Sequence, residues 1–248
     1  GRVYLPRSLK AVFEILSDEP SAGVFAGGTD LLVRSSPQNV GDRSLVCLEG
    51  IEELRGVSES GGEIRIGAGT THSEVIASGL VKGCFPILRE AVRHIGAPAV
   101  RNMGTIGGNI CTASPAGDTL PPLYILDADV ELRSVQGERR VPVSVFVTGP
   151  GRTVLRPGEV LTAVYIRKDH GFNFHHFEKV GQRRAMAISV ASLAFAARLG
   201  ADGIVAKARC AFGSVAPTVF TSQVLDGCFT GNAMNERVLR EAAAIARG

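Results

Sequence analysis

The sequence predicts an α+β protein: two compact α/β units followed by a smaller antiparallel sheet with helices. Up to about residue 158, short apolar runs of strand type alternate with segments whose apolar residues recur at helical spacing. From Glu159 onward the runs lengthen into successive strands, and a helix ends the chain. Two glycine-rich segments, Phe25 to Leu32 and Arg101 to Asp118, follow apolar runs in the first two units. The units accordingly span residues 1–56, 57–158 and 159–248.

In the first unit, Ser8 caps a helix in which Leu9, Val12, Phe13 and Leu16 share a face. A strand over 22–26 delivers the chain into the first glycine segment, Leu31-Leu32-Val33 starts a helical turn, and 45–48 is a second strand. A loop at the C-terminal end of a strand is where open α/β sheets hold ligands. In the second unit Ile64 and Ile66 alternate as in a half-buried strand, and Thr71-His72-Ser73-Glu74 has capping-box spacing. Pro86 opens a helix whose face is Leu88, Ala91, Val92 and Ile95. After the second glycine segment, Asp118 caps a helical stretch to Leu126, and Val130/Leu132 with Val141/Val143 flank Gln136-Gly137 as a hairpin. Strands over 160–166, 174–179, 188–197 and 204–212 follow, the third being Ala-rich enough to read equally as a buried helix. The last helix carries Val238, Leu239, Ala242 and Ile245, and the sheet has its helices on one face.

The composition, 45% apolar and 21% charged with a net charge of +3, is that of an ordinary globular chain. No Lys/Arg run exceeds two residues, so no nucleic-acid footprint is visible and an anion must be met locally. Five widely spaced cysteines without a CxxC pair argue against a disulfide framework, a zinc site or an iron–sulfur cluster, and fit a reducing cytoplasm. The longest apolar run, 185–199, is broken by Ser189, Ser192 and Arg198, which speaks against a membrane span.

Three glycines in five residues, Gly104, Gly107 and Gly108, leave a backbone with little side-chain cover, able to approach a phosphate closely. Two such segments suggest one diphosphate, although spacing alone also allows glycines that serve only tight turns. Gly67-Ala68-Gly69-Thr70-Thr71-His72 imitates the start of a dinucleotide fingerprint, but His72 stands at its sixth position. No P-loop lysine follows either segment, and His175-His176, adjacent in a strand, point to opposite faces and cannot chelate together. No Ser/His/Asp arrangement stands out, and Asp30 and Asp118 read separately as turn formers.

Ala26-Gly27-Gly28-Thr29-Asp30-Leu31-Leu32 and Arg101-Asn102-Met103-Gly104-Thr105-Ile106-Gly107-Gly108-Asn109 resemble the two pyrophosphate segments of the FAD-binding medium subunit of molybdenum hydroxylases, the xanthine dehydrogenase and carbon monoxide dehydrogenase family. The segments 148–153, 159–161, 177–189 and 212–217 are similar to that family too, in the same order. The resemblance implies a PCMH-type FAD-binding fold, in which two α/β subdomains hold FAD between them and a small C-terminal domain follows. It assigns the diphosphate to the backbone of Ala26, Gly27, Gly28, Thr29, Asp30 and Leu31 and to that of Thr105, Ile106, Gly107, Gly108 and Asn109. Side chains of Asn109 and Thr112 add bonds, and Ser114 and Asp118 lie near ribityl or ribose hydroxyls. Ile95 and Leu161 pack on flavin or adenine, Ile188 approaches the isoalloxazine face, and Lys179 sits at the pyrimidine edge, where its charge favours the reduced flavin.

The implied role is electron transfer. Molybdopterin and two [2Fe–2S] clusters belong to partner chains, a large and a small subunit, and this chain's FAD passes electrons to NAD or another acceptor. No catalytic residue and no metal ligand is assigned here, and an apolar surface patch for partners is expected. The family usually continues past the last helix with an Arg-rich segment, so either a shortened chain or a short variant is expected. The rival readings are an autonomous PCMH-fold flavin enzyme, with His72 or Cys111 joined covalently to the flavin, and a module that binds a nucleotide without redox chemistry.

Overall fold

The computed structural model describes residues 1–34, 43–183 and 187–247. Arg184, Ala185 and Met186, within one of the resembling segments, lie outside the described residues.

The first unit contains β1 (Val3–Tyr4), α1 (Leu9–Asp18), β2 (Gly23–Phe25), α2 (Leu31–Arg34) and β3 (Leu45–Cys47). The strands form a parallel sheet in the order β1-β3-β2. Ser8 accepts a hydrogen bond from the Ala11 N–H at 3.3 Å, and α1 buries Leu9, Val12 and Leu16 against Val46, Leu48, Ile51 and Leu54.

The middle unit runs through β4 (Val57–Ser60), β5 (Glu63–Gly67), α3 (His72–Ala77), α4 (Gly79–Cys84), α5 (Pro86–Arg93), α6 (Pro98–Met103), α7 (Ile106–Thr112), α8 (Leu120–Ile125), β6 (Asp129–Ser134), β7 (Gly137–Pro142), α9 (Val143–Phe146), β8 (Val147–Gly149), β9 (Arg152–Thr153) and β10 (Val160–Arg167). Its five-stranded antiparallel sheet has the order β4-β5-β10-β6-β7, with Ile64 opposite Ile166 and both Ile66 and Val130 opposite Val164. The sequence grouped 160–166 with the C-terminal strands, whereas β10 is the central strand here, because both its edges find partners in β5 and β6. Val160 packs in the first unit's core while Leu161, Val164 and Ile166 pack in the large core of the middle unit.

Some local signals hold and others shift. Thr71 and Glu74 form a capping box and Pro86 opens α5. The hairpin turn is Val135-Gln136, one residue earlier than expected, because Ser134 pairs with Gly137 and Val143 has already entered α9. The second glycine segment is largely helical, and Asp118 does not cap α8, whose N-cap is Thr119 without a side-chain bond.

The C-terminal unit comprises β11 (Phe174–Gly181), β12 (Ser189–Leu199), β13 (Val205–Gly213), β14 (Phe220–Thr221), α10 (Gln223–Phe229) and α11 (Glu236–Arg247), with its strands antiparallel in that order. The Ala-rich stretch is strand, not helix. A bulge between Arg198 and Leu199 shifts the alternation in β13, so Val205 is buried and Ala206 exposed. The unit's own helices cover one face through Leu225, Phe229, Val238 and Ala242, while Leu239 and Ile245 stay largely outside. The opposite face, with Phe177, Ala194, Ala196 and Ala211, closes on α8 and α5.

Candidate functional site

The first glycine segment leaves the sheet at Phe25, whose carbonyl still accepts from the Leu48 N–H at 2.8 Å. A β-carbon on Gly27 would lie 1.7 Å from the Met103 carbonyl oxygen, so only glycine lets this segment rest against the end of α6. Gly28 has φ +69°, a conformation side chains resist. Among the described residues the amides of Gly27, Gly28 and Thr29 have no internal acceptor, and the Leu32 N–H turns back to the Gly28 carbonyl at 3.0 Å. Three neighbouring donors left open on one short turn form a cradle for an anion.

The second segment behaves differently. The resemblance assigns the diphosphate to its backbone, but the Ile106 N–H donates to Thr70 O at 3.0 Å and the Gly107 N–H to Ala68 O at 2.9 Å. The Gly108 N–H donates to the capping hydroxyl of Thr105 and the Asn109 N–H to the Thr105 carbonyl. Ile106 and Gly107 are buried, and a β-carbon on Gly107 would sit 2.6 Å from that of Ala68. These amides are committed to the fold, so what α7 and its N-cap turn toward a ligand are the Thr105, Asn109 and Thr112 side chains.

Both segments nevertheless line one cavity of about 510 Å³, within the range of small-molecule sites. Ala26 to Leu31 form one wall, and Thr105, Gly108, Asn109 and Thr112 the other, with Ile95 alongside. The Thr112 hydroxyl donates to Asp30 Oδ2 at 3.1 Å, a direct bond between the walls. The lining also holds two residues without an assigned role, Arg43, a cation, and Gly151, whose N–H donates to Ala113 O at 3.0 Å. Arg43 stands in no pattern that announces it, whereas Gly151 lies in the resembling segment 148–153. His72 lines the cavity as well, although the sequence marked it only as a misfit and a covalent suspect. Burial and the nearby Arg101 charge push its imidazole down to about 4, so it is neutral.

Asp118 and Lys179 pair at 2.6 Å with both side chains almost wholly buried, and Lys179 also donates to His94 O at 3.2 Å. Burial outweighs the Lys179 hydrogen bond and raises the Asp118 carboxyl above its usual range. Its Oδ1 is buried without a partner among the described residues. The pair is linked to the cavity lining by two routes: Lys179 bonds His94, which precedes the lining residue Ile95, and Thr119, next to Asp118, donates to Asn109 Oδ1 at 2.6 Å. Ser114 lies in the turn after α7, accepting from the Ala116 N–H. Leu161 is packed in the core opposite Leu132, and Ile188 stands 81% exposed just before β12.

The residues fit a dinucleotide with a diphosphate bridge: open amides and a glycine cradle on one wall, hydroxyls and an amide side chain on the other, and an unsatisfied buried carboxylate oxygen beside them. Burial pushes the Cys111 thiol up to about 12, which removes the thiolate that covalent attachment needs. Among the described residues no helix is long and apolar enough to cross a membrane.

Comparison with known proteins agrees with this geometry. Residues 1–167 match the family model described as the FAD binding domain in molybdopterin dehydrogenase, and residues 176–248 that of the CO dehydrogenase flavoprotein C-terminal domain. The xanthine dehydrogenase FAD-binding subunit of Escherichia coli O157:H7 is 36% identical over 220 residues, 87% of this chain and 74% of the relative. The carbon monoxide dehydrogenase medium chain of Hydrogenophaga pseudoflava is 30% identical over 98% of this chain and 84% of its own length. Among solved structures, quinoline 2-oxidoreductase from Pseudomonas putida 86 superposes with a TM-score of 0.91 at 28% identity, covering 99% of this chain and 85% of that one. With both of its parts matched in order, the chain belongs to the FAD-binding subunits of the molybdopterin-dependent dehydrogenases.

Proposed function

We propose that this chain is the electron-transfer flavoprotein of a molybdenum hydroxylase complex, holding FAD between its first and middle units. Electrons reach it from the [2Fe–2S] clusters of a small subunit, substrate is oxidised at the molybdopterin of a large subunit, and NAD or another acceptor takes the electrons away. The observation that carries this reading is the meeting of two glycine segments, far apart in sequence, at the walls of one cavity. When bound, FAD supplies the exchange between one-electron clusters and a two-electron acceptor.

The chain's own residues hold and orient. Gly27, Gly28 and Thr29 give their open amides to the diphosphate, and Thr105, Asn109 and Thr112 add side-chain bonds from α7. Asp118 Oδ1 accepts from a sugar or ribityl hydroxyl, and Lys179 holds the other carboxylate oxygen at 2.6 Å while placing a positive charge on the flavin side. Ile95 packs on the ring system, Ile188 flanks its open face, and Ser114 lies near the ribityl end. Five free thiols fit a reducing cytoplasm.

The test is the visible spectrum of the purified chain with FAD. Flavin absorption that bleaches with dithionite, with flavin released into the supernatant by acid, supports the reading. A chain that takes up no FAD overturns it, and flavin left attached after acid favours the autonomous enzyme instead.

A further inference from the structure

His72 is only 3% exposed and lines the cavity, yet its ring makes no hydrogen bond to any described residue. Its backbone is well anchored: it opens α3, and its N–H donates to Gly104 O at 2.9 Å. Its ring carbon Cδ2 lies 3.2 Å, and the Thr29 hydroxyl 3.3 Å, from where a β-carbon on Gly104 would stand. Glycine at 104 thus lets the imidazole and the first segment come together. Thr29 is one of the three residues whose amides are open, so the ring sits beside the anion cradle.

The two ring nitrogens are not equivalent. Nδ1 is sealed from solvent with no partner among the described residues, which leaves Nε2 to face the cavity that the ring lines. A sealed, unpaired N–H costs more than a sealed, unpaired lone pair, so the single proton of the neutral ring belongs on Nε2. The cavity therefore has a rigid donor with no acceptor among the described residues. A ligand oxygen in the cavity can accept its hydrogen bond, and one that carries charge makes that bond stronger.

We propose that His72 is a ligand-binding residue, its Nε2–H donating to the diphosphate of the dinucleotide beside the Gly27–Thr29 turn. The proposal rests on the FAD reading and adds to it a contact that the glycine segments do not contain. It also gives His72 a role as a non-covalent donor.

The experiment compares FAD with riboflavin, which lacks phosphates, in equilibrium binding to the full apoprotein. In His72→Phe, FAD affinity is expected to fall about ten- to a hundredfold, the range of a hydrogen bond to a charged group, with riboflavin affinity unchanged. His72→Gln, which restores an N–H donor, is expected to recover most of the loss. Unchanged FAD affinity in His72→Phe, or an equal loss for both ligands, overturns the proposal and leaves His72 a packing residue. A wild-type chain that binds no FAD instead overturns the broader reading. Should the variants fail to fold, ¹⁵N-histidine spectra of the wild type decide: Nε2 is expected to shift on adding FAD and not on adding riboflavin, and a static Nε2 resonance with FAD bound refutes the contact.

Discussion

The two glycine segments look alike in sequence and do opposite things with their backbones. Around Gly27-Gly28-Thr29 the chain turns outward with its amides open, whereas Ile106 to Asn109 spend theirs on Thr70, Ala68 and Thr105. The glycines differ accordingly. Gly27 permits contact between segments, while Gly107 permits contact with the core at Ala68. Glycine content marks where backbone comes close to something, and the hydrogen bonds decide whether that something is a ligand or the protein itself.

Substitution at these two glycines should separate the roles most strongly. Gly27→Ala places a methyl group 1.7 Å from the Met103 carbonyl oxygen and forces the cavity walls apart. An overlap of this kind costs about 3 kcal/mol, so FAD affinity should drop on the order of a hundredfold. Gly107→Ala should instead lower the melting temperature, by the equivalent of about 1–3 kcal/mol, since its methyl overlaps Ala68. Titration of FAD and thermal unfolding of both variants check this, and a reversed pattern breaks the contrast.

His72, between the segments, adds a pH effect of comparable size. Its folded-state value, about 4, lies below the ordinary 6.5, so the unfolded chain binds the extra proton between those values. Stability from this group is complete above pH 6.5 and is lost as pH falls toward 4, by about 3 kcal/mol in all. Denaturant unfolding across that range should show the slope in the wild type, and His72→Phe should flatten it. An unaltered slope in the variant assigns the loss to other groups.

The smallest effect sharpens the second segment's side of the comparison. Thr105→Ala removes the hydroxyl that accepts from the Gly108 N–H, and should cost about 1 kcal/mol as a lost helix cap. Unfolding free energies of the pair measure it. A cost near zero means the cap is not what commits that amide.

Local rules made much of this legible in the sequence. Ser8, the Thr71/Glu74 box and Pro86 act within one helical turn, and each stands where its pattern says. The two glycine segments were legible as a shared site because their composition is unusual and they resemble a known pair. What stayed hidden depends on distant partners. Nothing near Gly107 tells that Ala68 will take its hydrogen bond, and nothing near Asp118 tells that Lys179 rather than α8 will claim it. Leu239 and Ile245 keep helical spacing yet remain exposed, because periodicity reports a face and not what covers it.

The late position of β10 has a consequence for the chain as it leaves the ribosome. Until Val160–Arg167 has emerged, β5 and β6 have no strand to pair with between them, and each presents an open edge. Biosynthesis thus passes through a long interval in which residues 1–159 wait for eight more, and a nascent chain released before them is an aggregation hazard rather than a smaller flavoprotein.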